Sequence, residues 1–211
     1  MKFLSVALCT LALAPFGASA TPVYLNQSNI SVQVGPGTSA GDFNNTFNGG
    51  QTINKVIDAP SADAAEFHNQ TTHIWYTADD DGGGLELLFD FGVEYDINTL
   101  HFWNYTAESF DVDSISFTFF NGLDNLVGTQ SLAPALGSAG GILAEDILLP
   151  APLNVRYVTA FLTGSNGQVD FQNIGFTAEL SDPTPGIPVP SSIALIGIGL
   201  LGLRRWQSSP R

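Results

Sequence analysis

The sequence predicts an all-β fold, an antiparallel β-sandwich, over residues 21–180 of the 211-residue chain. Three observations predict it. Apolar residues recur at every second position in several stretches, the period of a strand with one buried face. Clusters of turn residues separate these stretches: Asp80-Asp81-Gly82-Gly83-Gly84, Asn121-Gly122, Gly137 to Gly141 and Gly164-Ser165-Asn166-Gly167. No part of the middle keeps a helical period over the length a stable helix needs. Sheets that are apolar on one face bury it by packing against each other.

From the N-terminus, Lys2 precedes an apolar run from Phe3 to Ala14, and Ala18-Ser19-Ala20 supplies the small residues a signal peptidase reads. Residues 1–20 therefore read as a signal peptide, with Thr21 beginning the exported chain. Cys9, the only cysteine, lies inside that segment, so the domain has no thiol for a disulfide and must be stabilised by packing or a metal. All 20 acidic residues fall between Asp42 and Asp182, where only Lys55 and Arg156 oppose them, a balance of −18. Such a surface repels phosphate backbones, which argues against nucleic acid as a partner and leaves cations and neutral polymers.

Within the domain, Leu85, Leu87, Phe89 and Phe91 alternate with Glu86, Leu88 and Asp90. Ile115, Phe117 and Phe119 alternate with Ser114, Ser116 and Thr118 and are expected to face the core. Val155, Tyr157, Thr159 and Phe161 repeat the pattern around Arg156. Asp79-Asp80-Asp81-Gly82 does not fit a helical calcium loop: with Gly82 at the sixth position, Thr77 would be first and Leu88 twelfth, where acidic side chains are required. It reads as an exposed turn.

Beyond the domain, residues 181–190 form a proline-rich linker, and residues 191–211 carry Ile193 to Leu203, a short apolar helix capped by Ser191 and Ser192 and ended by Arg204 and Arg205. Counted from Val189, the apolar stretch is 15 residues long. As a helix it would reach about 22 Å against about 30 Å of hydrocarbon, a short transmembrane helix with its arginines on the cytoplasmic side.

Two families are resembled. Ile187-Pro188-Val189-Pro190-Ser191, the Gly/Leu-rich helix and the basic tail resemble the PEP-CTERM sorting signal of Gram-negative bacteria, with Val189 where that family has glutamate. The resemblance implies a sorting motif at Pro188, Pro190, Ser191, Arg204 and Arg205, processing by an exosortase-like protease, and transient anchoring in the inner membrane before the domain reaches the cell surface or a biofilm matrix. Lys55-Val56-Ile57-Asp58, Trp75, Leu87-Leu88-Phe89-Asp90-Phe91-Gly92, the run from Ile97 to Tyr105, and Phe171-Gln172-Asn173-Ile174-Gly175-Phe176 together resemble the discoidin-like domains, also called coagulation factor type C domains. Their fold is a galactose-binding-like jelly roll, and the match spans residues 55–180. The resemblance also implies a structural calcium near Asp58 and Asn173, where Asn173 stands in place of the family's glutamate.

Trp75, Trp103 and Tyr105 are candidates to stack on a sugar ring, with Asn104 and Glu108 as hydroxyl partners, although the commoner role for Trp75 and one face of the Trp103 strand is to fill the sandwich core. Binding in sandwiches favours end loops, which points to the segments from Phe67 to Gly84 and from Thr106 to Asp111. His68 and His73 are five apart and His101 lies on another strand, so no dense metal-ligand set is evident and these histidines read as structural. No nucleophile signature or phosphate loop is present. The sequence thus reads as an exported, non-enzymatic binding protein, with extracellular polysaccharide as the favoured ligand. The alternatives are a surface protein without a specific ligand and a secreted hydrolase using two carboxylates.

Overall fold

The structure, a computed structural model, describes residues 21–44, 53–68, 73–79, 82–150 and 154–181. The segments expected to be a signal peptide, most of the linker and the expected sorting segment, including Pro188, Pro190, Ser191, Arg204 and Arg205, lie outside the described residues. Among the described residues, no helix is long and apolar enough to cross a membrane.

Ten strands make up the domain: β1 (Val23–Leu25), β2 (Ser31–Val34), β3 (Gly41–Asn44), β4 (Ile74–Ala78), β5 (Leu85–Asn104), β6 (Ser114–Phe120), β7 (Leu126–Leu132), β8 (Glu145–Leu148), β9 (Val155–Thr163) and β10 (Gln168–Leu180). The helical content among the described residues is two short 3-10 turns, Ile53–Ile57 and Ser165–Gly167. All strand pairings are antiparallel, as the alternating pattern predicts.

The sequence suggests separate strands over Leu85–Phe91 and Ile97–Tyr105, but β5 runs unbroken through both and belongs to both layers of the sandwich. Its first half lies between β2 and β9, and β6 and β7 continue that layer. Its second half lies between β10 and β8, with β4, β3 and β1 continuing through β10. The crossing falls where the β9 pairing jumps from Asp90 to Tyr95, and Gly92 there has φ +75°, a left-handed conformation that favours glycine. The Gly92 N–H donates to Asp90 Oδ1 at 2.8 Å and fixes the bend.

The main core fills the space between the layers. Ile115, Phe117 and Phe119 are buried as predicted, and Phe89 meets Phe176 edge to face at 5.5 Å. In β9 the parity departs from the sequence reading: Val158, Ala160 and Leu162 point inward, while Tyr157, Thr159 and Phe161 are half-buried on the outer face. The aromatic residues carry the visible pattern there, but small Ala160 opposite Leu87 and Phe117 is what the crowded interior accommodates. A second, smaller core of Ala59, Trp103 and Ile142, with Tyr24 and Ala144 against it, lies apart from the main one. Trp103 is on the same strand as inward-facing Phe102, so this second core is on the outer face of the β10 layer, beneath loops that contain Ala59 and Ile142.

Candidate functional site

The loops over that outer face are tied down by polar groups. Trp103 Nε1 donates to the Ala64 carbonyl at 2.8 Å, and Glu66 and Ile142 exchange backbone hydrogen bonds at 2.8 and 2.7 Å. Asn104, at the end of β5, donates to the carbonyls of Val112 and Ala135 at 3.0 and 3.1 Å and accepts from the N–H groups of Tyr105 and Val112. One buried side chain thereby fixes where the chain leaves β5 and where the loop before β6 returns. Gly137 is required beside it, because a Cβ there would lie 2.3 Å from the Asn104 carbonyl oxygen.

Beyond these anchors is a cleft of about 160 Å³ lined by His73 and Trp75 at the start of β4, Tyr105 just past β5, Phe110 in the following loop and Asp170 on β10. His73 stacks on Tyr105, with ring centroids 5.5 Å apart and planes 17° apart. His68 closes the group, 5.0 Å from His73 and 4.9 Å from Tyr105, with its Nε2 3.4 Å from the Tyr105 hydroxyl. Phe110 stands edge-on to Tyr105 at 6.4 Å. The Asp170 N–H donates to the Phe110 carbonyl at 2.9 Å, so the loop and β10 hold each other.

Asp170 is the polar centre of the cleft. It is 5% exposed. Its Oδ2 lies 3.8 Å from His73 Nε2, while its Oδ1 has no hydrogen-bond partner among the described residues. Burial raises its pKa, and hydrogen bonding to His73 with the charges of His73 and His68 opposes the rise. Burial and the neighbouring His73 depress the His68 pKa. Burial, then the Asp170 charge, raise that of the Tyr105 hydroxyl. Nearby, burial followed by the charges of Asp113 and Glu108 pushes Asp111 up to about 6.

The sequence candidates separate accordingly. Trp75 and Tyr105 line the cleft. Trp103 does not: it is 0% exposed, and the expectation that it stacks on a ligand is corrected, because its indole fills the second core. Asn104 is 2% exposed with its amide engaged by backbone partners, which makes it an organiser of the loop rather than a hydroxyl partner. Glu108 is exposed on the loop and does not line the cleft. His68, His73 and Phe110 lie within the loop segments the sequence reading favours but are not singled out there, the histidines being read as structural, and Asp170 lies outside those segments. His101 is elsewhere, buried with Nδ1 2.6 Å from Asp146 and Nε2 2.7 Å from Thr177 Oγ1.

Asp58 and Asn173 do meet, but they do not fit a calcium ion. The Ala59 N–H donates to Asn173 Oδ1 at 3.0 Å, which fixes the amide orientation and leaves Nδ2 to donate to Asp58 Oδ1 at 2.9 Å. The Lys55 ammonium pairs with Asp58 Oδ2. Calcium requires six to eight oxygens, and here an N–H or ammonium already faces each candidate oxygen.

A broader depression of about 530 Å³ lies over the outer face of the other layer, lined by Ser31, Gln33, Leu88, Asp90, Tyr157 and Thr159 among others. There Asp90 is held by Arg156 at 2.6 Å, and burial leaves no unpartnered atom among the residues named.

No protein-family model matches the sequence, and no curated protein sequence matches it. Among solved structures, the F5/8 type C domain of a Bacteroides fragilis protein superposes with a TM-score of 0.53 at 9% identity, over 75% of this chain and 97% of that one. The family 32 carbohydrate-binding module of C. perfringens NanJ, solved with galactose, gives 0.46 at 9% identity over 74% and 99%. A fragment of a Bacteroides thetaiotaomicron chitobiase-like protein gives 0.46 at 16% identity over 83% and 100%. The first of these establishes that the domain has the discoidin-like β-sandwich fold.

Proposed function

We propose that this chain is an exported, non-enzymatic carbohydrate-binding protein whose ligand, a neutral sugar of an extracellular polysaccharide, is held in the cleft between Trp75, Tyr105, Phe110 and Asp170. The observation that carries this reading is an aromatic cleft lined by Trp75, Tyr105 and Phe110 together with the buried carboxylate of Asp170. A sugar hydroxyl donates to the Asp170 carboxylate where it borders the cleft, while the apolar face of the ring lies on Tyr105 or Trp75. Asp170 is the only carboxylate among the described residues lining the cleft, which gives no support to a two-carboxylate hydrolase. The discoidin-like fold is compatible with this function without fixing it.

The routing is part of the same proposal. Residues 1–20 direct export, and residues 191–211, together with the motif Pro188, Pro190 and Ser191 and with Arg204 and Arg205, hold the domain at the inner membrane until an exosortase-like protease releases it to the cell surface or matrix.

The test is binding of the protein to an array of neutral oligosaccharides, followed by calorimetry on a ligand found there. Asp170→Asn and Tyr105→Ala should each weaken binding about tenfold or more. Binding should also fall on acidification from a higher pH than an ordinary carboxylate would give, because the acceptor is lost as Asp170 takes up a proton. No binding across the array, or full affinity in both variants, would refute the reading and favour a surface protein without a specific ligand.

A further inference from the structure

We infer that Lys55 is a built-in cation: its ammonium takes the place at Asp58 that a structural calcium would hold, so the domain carries its own counter-charge and has no use for a divalent ion at this position. The inference rests on how each nearby oxygen is occupied. Asp58 Oδ2 is paired with Lys55 Nζ and Asp58 Oδ1 accepts from Asn173 Nδ2. Asn173 Oδ1 accepts the Ala59 N–H, and Asn173 is 1% exposed, so its amide is not free to turn over. The backbone oxygens on either side are engaged as well: Ile57 O accepts the Gln27 N–H at 2.8 Å and Ala59 O accepts Asn26 Nδ2 at 3.0 Å. A divalent cation entering here would have to displace a donor from each ligand it took.

Asn173 is the second half of the exchange. A glutamate at this position would face Asp58 with two more oxygens and a second negative charge, which one ammonium could not balance. The asparagine amide presents a donor instead, so Asp58 is satisfied by one cationic and one neutral N–H group. The Lys55 charge reaches further than Asp58. Burial and Asp58 raise the pKa of Glu66, and Lys55 opposes that rise, so the lysine is counter-ion to the loop bearing Ala64 and His68 as well. The clasp joins the 3-10 turn Ile53–Ile57, that loop and β10 without a metal.

Thermal unfolding of the full chain, read by circular dichroism in excess calcium chloride and in EDTA, tests this. The wild type should melt at the same temperature in both, within about 1 °C. Lys55→Gln should melt lower in both. Lys55→Gln combined with Asn173→Glu, which removes the ammonium and adds oxygens, should melt about 5 °C or more higher in calcium than in EDTA. A calcium-dependent rise of that size in the wild type would overturn the inference. So would a Lys55→Gln variant as stable as the wild type, or a folded double variant indifferent to calcium.

Discussion

The two outer faces of the sandwich are built on one shared strand, β5, and differ in nearly everything that follows. On the β9 layer the outward residues form cross-strand rows, Ser31, Asp90, Tyr157 and Phe120 in one, Gln33, Leu88, Thr159, Thr118 and Thr129 in the next. These side chains meet water directly, and the charged group among them is balanced by Arg156. On the β10 layer, loops lie over the strands and bury Trp103, His101, Asn173, Gln172 and Asp170. Covering a polar face removes its water, so each group must find a partner inside the protein. His101, Trp103 and Asn173 do so. Asp170 does so with one oxygen of two, and of the four side chains with one buried atom unpartnered among the described residues, Tyr24, Asp111, Asp170 and Gln172, it is the one that lines a described cleft. Polar residues are abundant on both faces. Enclosure leaves one of them, Asp170 at the cleft, with a buried oxygen that no described residue satisfies.

The largest expected effect that would sharpen this contrast is at the second core. Trp103→Ala should cost about 3 to 5 kcal/mol in denaturant unfolding, as for a fully buried aromatic, and should detach the loop held at Ala64. A loss below about 1 kcal/mol would mean that the cover is not part of the folded unit. Asn104→Ala should cost about 2 to 3 kcal/mol, since it strips partners from the Val112 and Ala135 carbonyls and the Val112 N–H at once, and it should weaken ligand binding through Tyr105 and the loop.

Asp111 gives a smaller, pH-dependent effect. Its folded pKa is raised to about 6, above the unfolded value, so its favourable contribution to stability is fully present below the unfolded value and is lost as pH rises through about 6. Asp111→Asn should therefore gain about 1 kcal/mol relative to the wild type at neutral pH, a gain that vanishes in acid. Equal effects at both pH values would show that the carboxyl is not held in its neutral form. The smallest effect belongs to the bare face: Thr118→Ala and Thr159→Ala should each change stability by under about 0.5 kcal/mol and leave oligosaccharide binding unchanged. Loss of binding in either variant would break the contrast and move the site to the open sheet.

Legibility in the sequence follows the same division. The first half of β5 and β6 could be read because large apolar residues alternate there with polar ones, as Phe117 does with Ser116 and Thr118. In β9 the inward Ala160 is small and the outward Tyr157 and Phe161 are large, so side-chain hydrophobicity pointed to the wrong face. The anchoring of the covering loops had no signature, because Ala64 and Ile142 act through backbone atoms that any residue type carries. Trp75 and Tyr105 were visible as candidates through their chemistry. Asp170 was one of 20 acidic residues, and what distinguishes it, burial between two strands and a loop, comes into being only on folding.

The direction of β10 has a consequence for how the domain is presented. Asp170 lies near its start, and Ser181 just past its end, where the Ser181 N–H donates to the Glu94 carbonyl and its hydroxyl to Asp96. Eleven residues of extended chain separate the two, roughly 30 to 35 Å. Val23 pairs with Ala178, so the strand that begins the described chain sits at the Ser181 end as well. Both ends of the described domain therefore lie at one pole, and the residues that line the cleft lie at the other. The two poles are thus set apart by the length of β10, so a change at the chain ends and a change at the cleft act at opposite ends of the sandwich.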